Sequence, residues 1–267
     1  EEIKAEGYTH VLAFCISSGL SGTYNTVGSI LGDEKELTSF VLDTRSISFG
    51  AGILAVWAAM QLEEGRSFDE LKEMLPKKVG DSKVFYYMDT LTYLRKGGRI
   101  GLVTSVVGSI LNIKPIISCN EDGVYYTAAK IRGARQGLSR LLTEARSFAG
   151  GRPCLTALLN GQGQDASDEL RPRLIAGIPE GRLIMEKAIT ASRTGGNRCA
   201  SPVAGTNIFT LAAYETSCGI LFAMPSEPRN FLQNIRFSFL SNLPPFWPQT
   251  RIQLLPPVNS PPVPIRA

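Results

Sequence analysis

An uninterrupted apolar run, Val11-Leu12-Ala13-Phe14-Cys15-Ile16, ends abruptly in Ser17-Ser18-Gly19-Leu20-Ser21-Gly22, and helical spacing resumes from Thr23 to Leu31. Of all the patterns in the chain, this one most restricts the fold. A strand without polar alternation is buried on both faces, which points to a parallel sheet covered by helices. Phe40-Val41-Leu42-Asp43 repeats the pattern, with a helix expected from about Phe49 to Glu64. Gly65 and Ser67 then stop one helix and cap the next, expected from Phe68 to Val79. Val84 to Met88 reads as a further strand, and short helices are expected at Leu91 to Arg95 and Gly101 to Leu111, around the Gly97-Gly98 turn.

The pattern changes after residue 113. Lys114 to Cys119 and Val124 to Ala128 flank an Asp122-Gly123 step, the signature of a β-hairpin. Gly133 to Ala149 is amphipathic, with Leu138, Leu141, Leu142 and Ala145 on one face. A strand at Cys154 to Leu159, a helix at Asp168 to Ile178 and a strand at Arg182 to Ile189 follow. The expected fold is therefore α/β and two-lobed. Residues 1–79 form a parallel-sheet lobe and 80–192 a second lobe with a mixed sheet, an arrangement that invites a ligand between them.

Residues 193–267 read as a tail foreign to this pattern, disordered or unrelated to the fold. Ten of the sixteen prolines fall after residue 224, and Pro244 to Arg266 alternates proline pairs with single apolar residues. The tail also holds six arginines against two glutamates, which accounts for the whole net charge of +4. The body is electrically balanced, so it offers no broad footprint for nucleic acid. Five scattered cysteines without C-x-x-C spacing point to reduced thiols in a cytoplasmic protein and give no zinc site. No apolar run is long enough for a membrane span.

The Ser17–Gly22 loop lies where a buried strand hands over to a helix, the place where open α/β sheets bind ligands. Helix-start N–H groups with the hydroxyls of Ser18, Ser21 and Thr23 would make a cup for a carboxylate or phosphate; an ordinary cap and turn would use the same residues. The loop is neither a Walker A motif nor a nucleophile elbow. Ser21 as a nucleophile needs a base, and the sole histidine, His10, stands at the far end of the strand. Asp43 and Asp89 close strands, where capping a helix and acid–base work are both open roles. Arg95-Lys96-Gly97-Gly98-Arg99 and Lys130-Ile131-Arg132 are cationic clusters that suit solvated faces or anion and partner contacts.

Taken together, Ile16 to Tyr24, Val41-Leu42-Asp43-Thr44 with Ile47 to Gly52, Leu91 to Ile100, Leu111 to Ile116 and Lys130-Ile131-Arg132-Gly133 resemble the motif blocks of the DegV family, in order and spacing, over residues 1 to about 190. The resemblance implies a bacterial fatty-acid-binding protein of phospholipid metabolism with no cofactor and no catalytic role of its own. Such a protein holds a long-chain fatty acid (palmitate, stearate or oleate) in an interior tunnel and presents its carboxylate to a fatty acid kinase subunit. Ser21 is then the carboxylate ligand, with Ser18, Gly22 and Thr23 beside it, and Arg132 meets the kinase. The alternative from the residues alone is a serine-dependent acyl or phosphoryl transferase or hydrolase using Ser21.

The family pattern is not matched throughout. Its opening Asp-Ser-Thr segment and a Thr-Ser-Gln-Pro-like loop have no counterpart before the first strand, so the N-terminal lobe is expected to be incomplete. Arg193-Thr194-Gly195-Gly196-Asn197 stands where a His-x-Gly-Pro-Gly-like loop would follow. The expectation is that this chain binds fatty acid weakly or folds poorly.

Overall fold

The structure, a computed structural model, describes residues 2–5, 7–88, 91, 94, 98, 103, 113–132, 136–161, 164–188, 208–211, 220–225 and 237–239. After a short helix α1 (Glu2–Ala5), strand β1 (Tyr8–Cys15) pairs in parallel with β2 (Thr38–Asp43), from His10 opposite Thr38 to Cys15 opposite Asp43. Helix α2 (Thr23–Asp33) makes the crossover, and Lys4 of α1 bridges Glu34 at 3.0 Å and Glu36 at 3.1 Å just beyond it. Helices α3 (Phe49–Glu63) and α4 (Phe68–Lys78) follow.

The apolar run of β1 is buried as its lack of alternation requires. Leu12 and Phe14 face α3 and α4, packing with Leu54, Ala55, Ala58, Leu71 and Leu75; Ala13 and Cys15 face α2, with Val27. Helix α4 begins on a capping box: Ser67 Oγ accepts from the Glu70 N–H at 3.2 Å, while Glu70 accepts from the Ser67 N–H at 2.8 Å.

The second lobe runs β3 (Phe85–Met88), β4 (Ile113–Cys119), β5 (Tyr125–Arg132), α5 (Gly137–Ala149), β6 (Cys154–Gly161), α6 (Gln164–Gly177) and β7 (Gly181–Ala188). β4 and β5 form the antiparallel hairpin with its turn at Asn120 to Val124, and β6 pairs with β7 in parallel. Period-two alternation divides the apolar residues between two faces. Phe85, Tyr87, Ile116 and Leu158 lie beneath α5 and α6 with Leu138, Leu141, Leu170 and Leu174. Val84, Tyr86, Ile117, Cys119, Tyr125 and Leu159 form the other face, and Leu20, Ile47 and Phe49 of the first lobe pack against it.

Three segments of the expected tail are strands. β8 (Ile208–Leu211) lies between β3 and β6, β9 (Ile220–Pro225) runs antiparallel to β1, and β10 (Phe237–Phe239) pairs with β9. Their sheet orders are β10-β9-β1-β2 and β5-β4-β3-β8-β6-β7. The first lobe's sheet is thus mixed, parallel only between β1 and β2, where a parallel sheet was expected. The physical reason is the backbone edge of β1 away from β2: it needs hydrogen-bond partners, and the short apolar run Ile220 to Met224 supplies them despite the prolines around it. The proline-dense segment from residue 244 to 266, most of the basic 95–99 cluster and nearly all of the two helices expected between 91 and 111 lie outside the described residues.

Candidate functional site

Because β1 and β2 are parallel and in register, their C-terminal ends stand side by side and the loops leaving them meet. The Ser17 N–H donates to the Ser46 carbonyl at 2.7 Å, and Thr44 donates to the Cys15 carbonyl through its N–H at 3.1 Å and Oγ1 at 2.7 Å. Ser17 is fully buried, and its Oγ accepts from the Gly19 N–H at 3.1 Å. Its carbonyl accepts from the N–H groups of Leu20 and Ser21, both at 3.0 Å, which closes a tight turn and delivers Ser21 to the mouth of α2.

At that mouth, Ser21 Oγ and Thr23 Oγ1 share a hydrogen bond of 2.8 Å, and the Thr23 N–H reaches Ser21 Oγ at 3.3 Å. Gly22, the N-cap residue, has no side chain to cap the helix, so the Thr23 N–H turns to Ser21 Oγ, and the first turn holds no acidic residue. The first-turn N–H groups and the positive end of the helix dipole therefore face an approaching anion without a competing carboxylate on the helix itself.

Ser18 is differently engaged. Its N–H donates to Asp43 Oδ1 at 3.2 Å and its Oγ to Asp43 Oδ2 at 2.6 Å, while the Arg45 N–H adds a third bond to Oδ1 at 3.0 Å. Ser21, Gly22 and Thr23 are brought together; the Ser18 hydroxyl proton points to Asp43. The sequence offered Asp43 as a helix cap or an acid–base group, and its bond across to Ser18 carries no local signal, because the two residues are 25 positions apart. Burial, with Asp43 adding to it, pushes the Cys15 thiol up to about 11, and burial pushes Cys119 up to about 12. Neither thiol has the lowered pKa of a nucleophile.

Immediately behind the turn, Leu20 enters the apolar layer between the lobes, next to Ile47 and Phe49. Phe49 also borders an apolar cleft of about 80 Å³, which Ile53, Phe85, Phe148, Leu174 and Ile178 line as well. Leu20 thus joins the hydroxyl-bearing turn to the apolar layer.

His10 is remote, at the opposite end of β1, with Nδ1 2.8 Å from Thr9 Oγ1 and its ring 5.0 Å from that of Phe68. Arg132 ends β5, exposed, paired in register with Ile113, whereas the hairpin turn lies at the strand's other end. The strand's length separates Arg132 from that turn by about 23 Å at ~3.3 Å per residue. The structure therefore does not place Arg132 in the Ser21 cluster.

Residues 1–192 match the family model described as "Uncharacterised protein, DegV family". A DegV domain-containing protein of Clostridium acetobutylicum is 42% identical over 178 residues, covering 67% of this chain and 63% of the relative. A second from the same organism is 32% identical over 207 residues, covering 78% and 70%. The chain thus spans less than two thirds of the first relative's length. Among solved structures, a DegV family protein from Thermus thermophilus described for its fatty acid binding superposes with a TM-score of 0.62 at 27% identity, over 78% of this chain and 72% of that one. A fatty acid binding DegV family protein from Streptococcus agalactiae gives 0.62 at 26%, with the same coverage. With the family's pattern matched along residues 1–192 and its two-lobed fold found in the structure, this chain belongs to the DegV family.

Proposed function

We propose that this chain binds a long-chain fatty acid, with the carboxylate at Ser21, Gly22 and Thr23 and the hydrocarbon in the apolar layer between the lobes. The observation that carries the reading is the Ser21–Thr23 hydroxyl pair at the uncapped start of α2, one residue from Leu20, which packs into that layer. A carboxylate there takes hydroxyl and amide donors from one side and leaves its tail facing Leu20 and Phe49. Each buried methylene contributes about 0.8 kcal/mol, so the tail supplies most of the affinity and the loop sets its direction. The fatty acids bound by the two relatives of known structure support the choice of ligand.

In this reading Ser18 acts through Asp43, holding the loop, and contacts the carboxylate only as a backbone neighbour. Ser21 binds and does no chemistry: its hydroxyl partner is Thr23, which is no base at neutral pH. We extend the proposal to presentation of the acyl carboxylate to a kinase subunit in the cytoplasm, with the exposed Arg132 as a docking residue. A guanidinium on an edge strand, beside the exposed Lys130, suits an acidic partner surface.

The test is extraction of lipid from the purified chain followed by titration with palmitate, stearate and oleate. Bound fatty acid displaced in a one-to-one titration is expected. A chain that carries no fatty acid and takes up none would overturn the proposal, and covalent capture of a serine-reactive probe at Ser21 would replace it with the hydrolase reading.

A further inference from the structure

The carboxylate loop is held from a second direction, by the other lobe. The β4–β5 turn is built by Asn120, whose Oδ1 accepts from the N–H groups of Asp122 at 3.1 Å and Val124 at 2.8 Å, and whose carbonyl accepts from the Gly123 N–H at 3.0 Å. This turn lies directly on the Ser17–Leu20 segment. Gly123 has φ +73°, and a Cβ there would strike Ser17 Oγ and approach Arg45 Cα to 3.0 Å. On the facing side, a Cβ on Gly19 would stand 3.0 Å from the Asp122 carbonyl oxygen and 3.1 Å from Val124 Cγ2. Two glycines from different lobes therefore meet where any side chain would push the surfaces apart.

Arg45 joins the same contact. It sits in the left-handed region at φ +47°, and its Nη1 donates to the Glu121 carbonyl at 3.2 Å. Its own N–H and both donors of Ser18 converge on the Asp43 carboxylate. From the turn, the chain of contacts runs through Arg45 and Asp43 to Ser18, three residues before Ser21.

We infer that the Asn120–Val124 turn, Arg45 and Asp43 form an inter-lobe clamp on the carboxylate loop, in which Asp43 and Arg45 are positioning residues. What the loop holds rests on the fatty-acid reading above; the clamp itself does not. Because the loop takes its geometry from both lobes, separation of the lobes releases it and lowers affinity. By linkage, a bound anion favours the closed lobe contact.

The experiment uses the full chain and four substitutions. Asp43→Ala removes all three bonds, whereas Asp43→Asn keeps an oxygen for the two backbone N–H groups that share Oδ1. Gly123→Ala drives a methyl group into the contact. Gly151→Ala meets the same backbone strain, at φ +70°, with nothing within 4 Å of its Cβ, and serves as the control. Amide exchange of residues 18–21 in the unliganded chain is expected to accelerate about tenfold in Asp43→Ala and Gly123→Ala, to return most of the way in Asp43→Asn, and to stay unchanged in Gly151→Ala. Titration with cis-parinaric acid should show Kd rising about tenfold in the first two and largely restored in Asp43→Asn.

Arg45→Ala deletes one exposed hydrogen bond and leaves the core untouched, so it reads the same exchange should the others fail to fold. Exchange no faster in the clamp variants than in Gly151→Ala overturns the clamp, as does an unaltered parinarate affinity in a chain that binds it. Faster exchange in the clamp variants, with a parent chain that takes up no parinarate, upholds the clamp and overturns the fatty-acid reading instead.

Discussion

Ser21 reaches the mouth of α2 because Ser17, six residues past the start of a wholly buried segment, turns its carbonyl back to take two N–H bonds. In the proposed site Ser21→Ala removes one hydroxyl donor to the carboxylate, a loss of about 1.5–3 kcal/mol. We expect fatty-acid affinity to fall at least about tenfold in calorimetric titration with the melting temperature nearly unchanged; equal affinities would remove Ser21 from the site. Burial has raised the Cys15 and Cys119 thiols to about 11 and about 12, so both stay protonated at pH 8. Of the three described cysteines, iodoacetamide at that pH should therefore modify the half-buried Cys154 first, as peptide mapping would show. At this scale a motif makes Ser21 legible, because its neighbours in sequence are also its neighbours in space. Asp43 is not legible in the same way: its bonds depend on the register of β1 with β2, which no local pattern encodes.

Elements were largely readable from periodicity and punctuation. The Asp122-Gly123 turn marks the hairpin, Ser67 and Glu70 mark the start of α4, and the apolar run marks β1. Ends drifted where no cap announces them: α6 starts at Gln164, four residues before the expected Asp168. The Ser67–Glu70 box also gives α4 a pH dependence. The Ser67 N–H bond, then the Arg66 pairing, holds the Glu70 carboxyl below its usual range. A carboxyl lowered by folding stabilises the fold above the ordinary carboxylate pKa, and that contribution disappears as pH falls through the lower folded value. Glu70→Gln should thus be less stable than the parent in urea melts at pH 7, with the gap closing in acid; a constant gap would mean that charge is irrelevant there. Ser67→Ala should lower stability by about 1 kcal/mol at any pH where the parent remains folded.

At the scale of the molecule, residues 193–267 contribute to both sheets. β9 lies along β1 from Tyr8 to Phe14, and β8 joins β3 to β6. A chain ending at residue 192 should therefore melt at a lower temperature and over a broader range by circular dichroism; an unaltered transition would show that these strands add nothing to stability. Proline content hid them from the sequence, since composition averaged over a long segment conceals short pairing runs such as Ile208 to Leu211. The two-lobed plan itself was legible, because the change from strand–loop–helix units to a hairpin is a change of period.

β3 works as a party wall. Tyr86, with Val84 just ahead of the strand, furnishes the room beside the first lobe, and Phe85 and Tyr87 the room under the helices. Any change to either room through this strand is thereby restricted to alternate residues, and inserting or deleting one amino acid would exchange the contents of both at a stroke.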